Sequence, residues 1–128
     1  MKKMLLLLCV CIGFLNCSDD DENANPLLGV WVWTGSSGGI GGVIETPEST
    51  GIIMKLDILP KTIKRFRNGV LVAEFNYTLE TRTSSLFNKT VQVIVPEDSF
   101  AQIVDLQGDV LTLIDDCADC FTSRYIRE

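Results

Sequence analysis

Residues 62–79 read TIKRFRNGVLVAEFNYTL, and this stretch decides the architecture. Asn68-Gly69 supplies the two positive φ angles that a two-residue type I′ turn demands. The flanking runs are rich in β-branched and aromatic residues, so the stretch reads as an antiparallel hairpin. Counting back from the turn sets Arg67 opposite Val70, Phe66 opposite Leu71, Lys64 opposite Ala73 and Thr62 opposite Phe75. Period-2 alternation then carries Leu71, Ala73, Phe75, Tyr77 and Leu79 to one face, with Lys64 and Phe66 beside them. Glu74, Asn76, Thr78 and Glu80 face water. A slip of one residue would exchange the faces of Lys64 and Phe66.

Working outward, the same grammar repeats. Leu28 to Thr34 alternates, with Trp31 and Trp33 on one face and Val30 and Val32 on the other. A Gly- and Ser-rich stretch from Gly35 to Gly51 reads as a long loop. Ile52, Met54, Leu56 and Ile58 form an apolar stripe that Pro60 ends. Beyond the hairpin, residues 81 to 89 read as a polar loop, and Val91, Val93 and Val95 mark a further strand stopped by Pro96. Phe100 to Leu106 and Val110 to Ile114 pair about Gly108-Asp109, with Leu106 meeting Leu111 and Val104 meeting Leu113 on the inner face. Phe121 to Arg127 is the last strand, with Phe121, Ser123, Tyr125 and Arg127 on one side. Eight strands joined mainly by neighbour-to-neighbour turns predict an all-β, eight-stranded antiparallel up-and-down barrel, because closure removes the exposed edges. A two-sheet sandwich is the alternative, but it calls for a long crossover that the sequence lacks.

The composition excludes several functions. The chain has 128 residues, 11 basic and 17 acidic side chains, a net charge of −6 and no histidine. An acidic chain without clustered Lys and Arg is not built for nucleic acid. Without histidine there is no Ser-His-Asp or Cys-His catalysis and no His-ligated zinc. Asp115-Asp116 and Glu97-Asp98 are adjacent carboxylates, which on a strand face opposite sides and cannot share acid/base work. Ser36-Ser37 has no general base. The reading is therefore non-enzymatic, with no cofactor and no metal.

The N-terminus gives an address. Lys2-Lys3 precedes an apolar run from Met4 to Leu15, too short to span a bilayer at roughly 20 residues but suited to a signal-peptide core. The run ends at Cys17, followed by Ser18-Asp19-Asp20-Asp21-Glu22. This segment resembles a bacterial lipoprotein signal, and the acidic stretch resembles the surface-export signal of Bacteroidetes lipoproteins. The resemblance implies a signal peptide at 1–16, lipidation of Cys17, an acidic tether at 17–26 and a folded domain at 27–128. It further implies anchoring to the bacterial outer membrane, exposed at the cell surface. Loss of Lys2 and Lys3 with the leader leaves 9 basic against 17 acidic residues, a net charge of −8. Of the five cysteines, Cys117 and Cys120 then remain for the fold. An oxidising compartment favours a small disulfide between them, with free thiols as the alternative; zinc would need two further ligands.

Gly29-Val30-Trp31 on the first strand, with Arg127 near the end of the last, resembles the G-x-W signature and terminal arginine of lipocalins and their calycin relatives. The resemblance implies that Trp31 plugs one end of the barrel and that Arg127 packs across it. It also implies a small hydrophobic ligand inside the barrel. Trp33, Met54, Leu56, Lys64, Phe66, Phe75 and Tyr77 are then the candidate lining residues, with Lys64 available to a ligand carboxylate. Two readings stand side by side: a carrier of a small hydrophobic ligand, or a non-catalytic protein-interaction module with a filled core. A connected apolar cavity of roughly 300 Å³ or more separates them in favour of the carrier.

Overall fold

A computed structural model describes residues 25–128; the leader, Cys17 and the tether up to residue 24 lie outside the described residues. The described chain forms nine strands: β1 (Gly29–Gly38), β2 (Val43–Glu45), β3 (Met54–Ile58), β4 (Thr62–Arg67), β5 (Val70–Ser84), β6 (Lys89–Pro96), β7 (Gln102–Gln107), β8 (Val110–Asp115) and β9 (Phe121–Arg127). One helical turn, α1 (Pro47–Thr50), lies between β2 and β3. Each strand from β3 to β9 pairs antiparallel with the next, and β1 pairs with both β3 and β9, so eight strands close into a barrel. β2 is a ninth, short strand that pairs only with the far end of β1.

The Gly35–Gly51 stretch is thus more ordered than its composition implies. β1 runs on through Ser36 to Gly38, held against Thr122 and Phe121 of β9, before turning back into β2. Thr46 then caps α1, accepting the Ser49 N–H while Ser49 Oγ takes the Thr46 N–H. This is a reciprocal capping box. Residues 81 to 89 also depart from the loop expectation. β5 continues to Ser84 and β6 starts at Lys89, so the connection is a tight turn secured by the Ser84 hydroxyl, which accepts the N–H groups of Leu86 and Phe87.

The barrel has two ends. The lower end carries Gly29, the β3–β4 turn and the Gly108-Asp109 turn; the upper end carries the β1–β2, β4–β5, β6–β7 and β8–β9 connections. Trp31, Trp33, Leu56, Ile58, Ile63, Tyr77, Ile94, Leu111, Leu113 and Tyr125 face inward and form one buried cluster with Leu27. Ten of these side chains at roughly 1.5–3 kcal/mol each supply the main drive for closure.

The hairpin register requires one correction. Arg67 pairs with Val70 and Phe66 with Leu71, but a β-bulge then leaves Val72 without a counterpart. Arg65 falls opposite Ala73, Lys64 opposite Glu74, Ile63 opposite Phe75 and Thr62 opposite Asn76. Lys64, Phe66 and Leu71 consequently lie on the outer face, and Ile63 and Arg65 on the inner one. The energetics account for it. The unbulged register would turn Ile63, now 3% exposed, toward water, losing about 2 kcal/mol of burial. Expelling Val72 sacrifices roughly one ladder hydrogen bond, about 1 kcal/mol net.

Candidate functional site

The lower end is sealed by the first and last strands. Trp31 is fully buried and donates its indole N–H to the Leu27 carbonyl at 2.8 Å. The Arg127 guanidinium lies 4.2 Å from the Trp31 ring centroid. Its Nη1 and Nη2 donate to the carbonyls of Leu28 (3.0 Å) and Pro26 (2.9 Å), and its Nε to Asp109 at 3.3 Å. Gly29 belongs to the same construction. Its φ of +129° is closed to most side chains, and a Cβ there would sit 3.0 Å from Arg127 Nη1. The glycine thus gives room for the guanidinium to reach the segment that enters the barrel. Arg124, the neighbouring basic residue on β9, is exposed on the opposite face.

Above this seal the barrel is packed. Trp33 and Leu56 are core residues, 2% and 3% exposed. Tyr77 is buried and donates its hydroxyl to the Leu59 carbonyl at 2.6 Å. Burial pushes its phenol pKa up, partly offset by the Asn25 side chain. Met54 and Phe75 are half-buried against the same cluster. Of the candidate lining residues, therefore, Trp33, Met54, Leu56, Phe75 and Tyr77 face inward. Lys64 and Phe66 do not, for the reason of register given above. Phe66 instead lines a hollow of about 340 Å³ on the outer wall, with Val30, Ile53, Lys55 and Asp57.

At the upper end the mouth of the barrel is lined by polar groups and partly open, within a rim of exposed apolar side chains. The Trp33 indole donates to Ser36 Oγ at 2.8 Å, and Ser36 Oγ lies 2.7 Å from Ser123 Oγ. Tyr125 stands beside Ser123. Burial raises its phenol pKa, opposed by the nearby Arg65 charge and the Ser123 hydrogen bond. Gln102 donates to Asp115 at 2.8 Å. Arg65 projects inward over the Phe75 ring, 5.8 Å from its centroid. Arg65, Ala73, Phe75, Pro96, Asp98, Ser99 and Gln102 border a slot of about 170 Å³. Among the described residues no carboxylate pairs with Arg65 and no acceptor takes its hydrogens.

That volume decides what the slot can take. Ligand pockets run from roughly 300 Å³ upward, and at about 30 Å³ per water the slot holds some five or six water molecules. A carboxylate head with a short side chain fits, and a fatty-acid tail does not. Arg65 is the inward-facing residue of the slot that counting from the turn misses. Counting instead from the apolar requirement of Ile63 finds it two residues on, on the same face. At the β8–β9 connection Cys117 and Cys120 are joined as a disulfide, their Cα atoms 5.6 Å apart.

Compared with protein-family models, with curated proteins and with solved structures, the chain gives no match.

Proposed function

We propose that the chain is a surface lipoprotein of lipocalin-like build whose barrel serves as a rigid scaffold for protein interaction, not as a container. The observation that carries this reading is the filled interior: Trp31, Trp33, Leu56, Tyr77, Leu111 and Tyr125 occupy the space that a carried ligand would need. The surface supports it as well. Among the described residues, nine of the thirteen exposed large apolar side chains sit at the upper end, including Ile40, Ile44, Ile53, Val70 and Phe100. Such a concentration marks an interaction surface more often than an inert one. In this reading the Cys17 lipid and the acidic tether enter at the lower end, where residue 25 begins, and the upper end faces away from the outer membrane. In the same reading the barrel works by binding protein, without catalysis and without contact to nucleic acid.

A photo-crosslinking residue placed at Ile40 on whole cells tests the reading, with the same residue at Ile126 on the barrel wall as control. The expected result is a discrete protein adduct from position 40 and none from position 126. Adducts that are absent from position 40, or equal at both, overturn it. A second reading, capture of a small carboxylate-bearing ligand, is favoured by one observation, the unpaired Arg65 in the slot. Titrations with short-chain carboxylic acids of two to five carbons that saturate at one equivalent support that reading, and flat titrations end it.

A further inference from the structure

β5 holds a feature unusual in a closed barrel. From Val70 to Asn76 it pairs with β4, but β6 joins its other edge only at Tyr77, opposite Pro96. The Glu97 N–H donates to the Asn76 carbonyl at 3.1 Å and closes the gap there. From Val70 to Phe75 that edge has no strand partner among the described residues. An unpaired edge presents backbone N–H and C=O groups to any extended chain. The Val72 bulge limits a regular ladder there to a few residues. Val70 and Val72, 63% and 53% exposed, flank the edge. The opposite bank of the gap is the Pro96–Gln102 connection, and the floor holds Arg65 over Phe75.

We propose that this gap docks the C-terminal segment of a partner polypeptide, its last residues extending the sheet along β5 and its terminal carboxylate seated on Arg65. Resting on the interaction reading above, the occupant follows from the chemistry of the gap. A strand edge recruits backbone, and a half-buried arginine without an acceptor recruits a carboxylate in a forked pair. A fatty acid would satisfy Arg65 and leave the edge bare. An internal strand would satisfy the edge and reach Arg65 only where an Asp or Glu side chain fell in register with it. A chain terminus brings both groups from one residue, whatever its side chain, into a slot of about 170 Å³, which suits a carboxylate and a single small side chain.

The test uses the full chain purified in detergent, against a pooled array of C-terminal hexapeptides displayed as free acids and, in parallel, as amides. The expected result is a selected set of free acids with affinities about tenfold or more above the matching amides, the size of one charge-assisted hydrogen bond. Arg65→Gln should erase the difference between acid and amide. Backbone N-methylation at alternate residues of a selected peptide should abolish its binding to the unaltered protein. That last arm decides the matter even if Arg65→Gln fails to fold. Equal binding of acids and amides, no selected peptide, or indifference to N-methylation overturns the proposal. If crosslinks at position 40 persist alongside any of those results, the docking proposal fails while the interaction reading stands.

Discussion

Replacing Arg127 with Ala removes the clasp of the lower end, and its cost can be worked from the contacts. Two charged N–H groups lose the carbonyls of Leu28 and Pro26. Because the Arg127 side chain is one-third exposed, each is taken near the lower end of the range, about 1 kcal/mol. The stack over Trp31 contributes about 1 kcal/mol more. The Asp109 contact reaches a carboxylate residue whose side chain is 82% exposed, and such pairs contribute almost nothing. The sum is about 3 kcal/mol, subject to non-additivity among groups in contact. For a domain of this size that lowers Tm by roughly 12–24 °C. Arg127→Lys retains charge and stem but loses the fork, and should recover about 1 kcal/mol. Arg124→Ala, on the exposed face of the same strand, is the control and should stay within about 0.5 kcal/mol of the parent. Urea unfolding followed by tryptophan fluorescence measures all three. An Arg127→Ala variant as stable as Arg124→Ala would refute the idea that the arginine holds the end closed.

Three further outcomes follow from the structure. Deleting Val72 leaves Phe66 opposite Leu71 and Arg65 opposite Ala73 without a break, so it should cost no more than about 1 kcal/mol in urea unfolding followed by circular dichroism; a variant that fails to fold would contradict the bulge. Burial raises the phenol pKa values of Tyr77 and Tyr125 in the folded state. Their contribution is therefore complete below the unfolded value of about 10 and is lost as pH rises through the raised folded values. Stability should fall as pH rises above about 10 in urea titrations, and fall less in Tyr125→Phe; an identical slope in the two proteins would contradict the assignment. Reducing the Cys117–Cys120 bridge opens a loop of sequence separation 3. On chain entropy alone it should cost no more than about 2 kcal/mol, so the reduced domain should still melt cooperatively.

The barrel was legible because its signals are local and agree with one another. The Asn68-Gly69 turn, the alternation around Trp31 and Trp33, and the pairing of Leu106 with Leu111 each point to antiparallel neighbours, and all three stand in the structure. The misreading of Lys64 and Phe66 has a physical origin. A turn fixes register only as far as the first bulge, and Val72 gives no composition signal, since any residue can occupy it. The long-range demand that Ile63 and Phe75 share the core overrides the count, and the same displacement brings Arg65 into the slot. The ordering of Gly35 to Gly51 was hidden for a related reason. The glycines and serines that suggest a loop pair with β9 and with β2, and Ser36 anchors Trp33. The pairing with β9 that orders the stretch reaches far along the chain, as Ser36 to Ser123 across 87 residues, which a local window does not include.

The most direct test of a filled barrel is native mass spectrometry of the full chain after incubation with a series of saturated and unsaturated fatty acids. A filled barrel predicts the mass of the protein alone, with no adduct that survives gentle activation. A stoichiometric one-to-one adduct that persists in Arg65→Gln and is lost in Leu56→Trp would contradict it and restore the interior as a binding site.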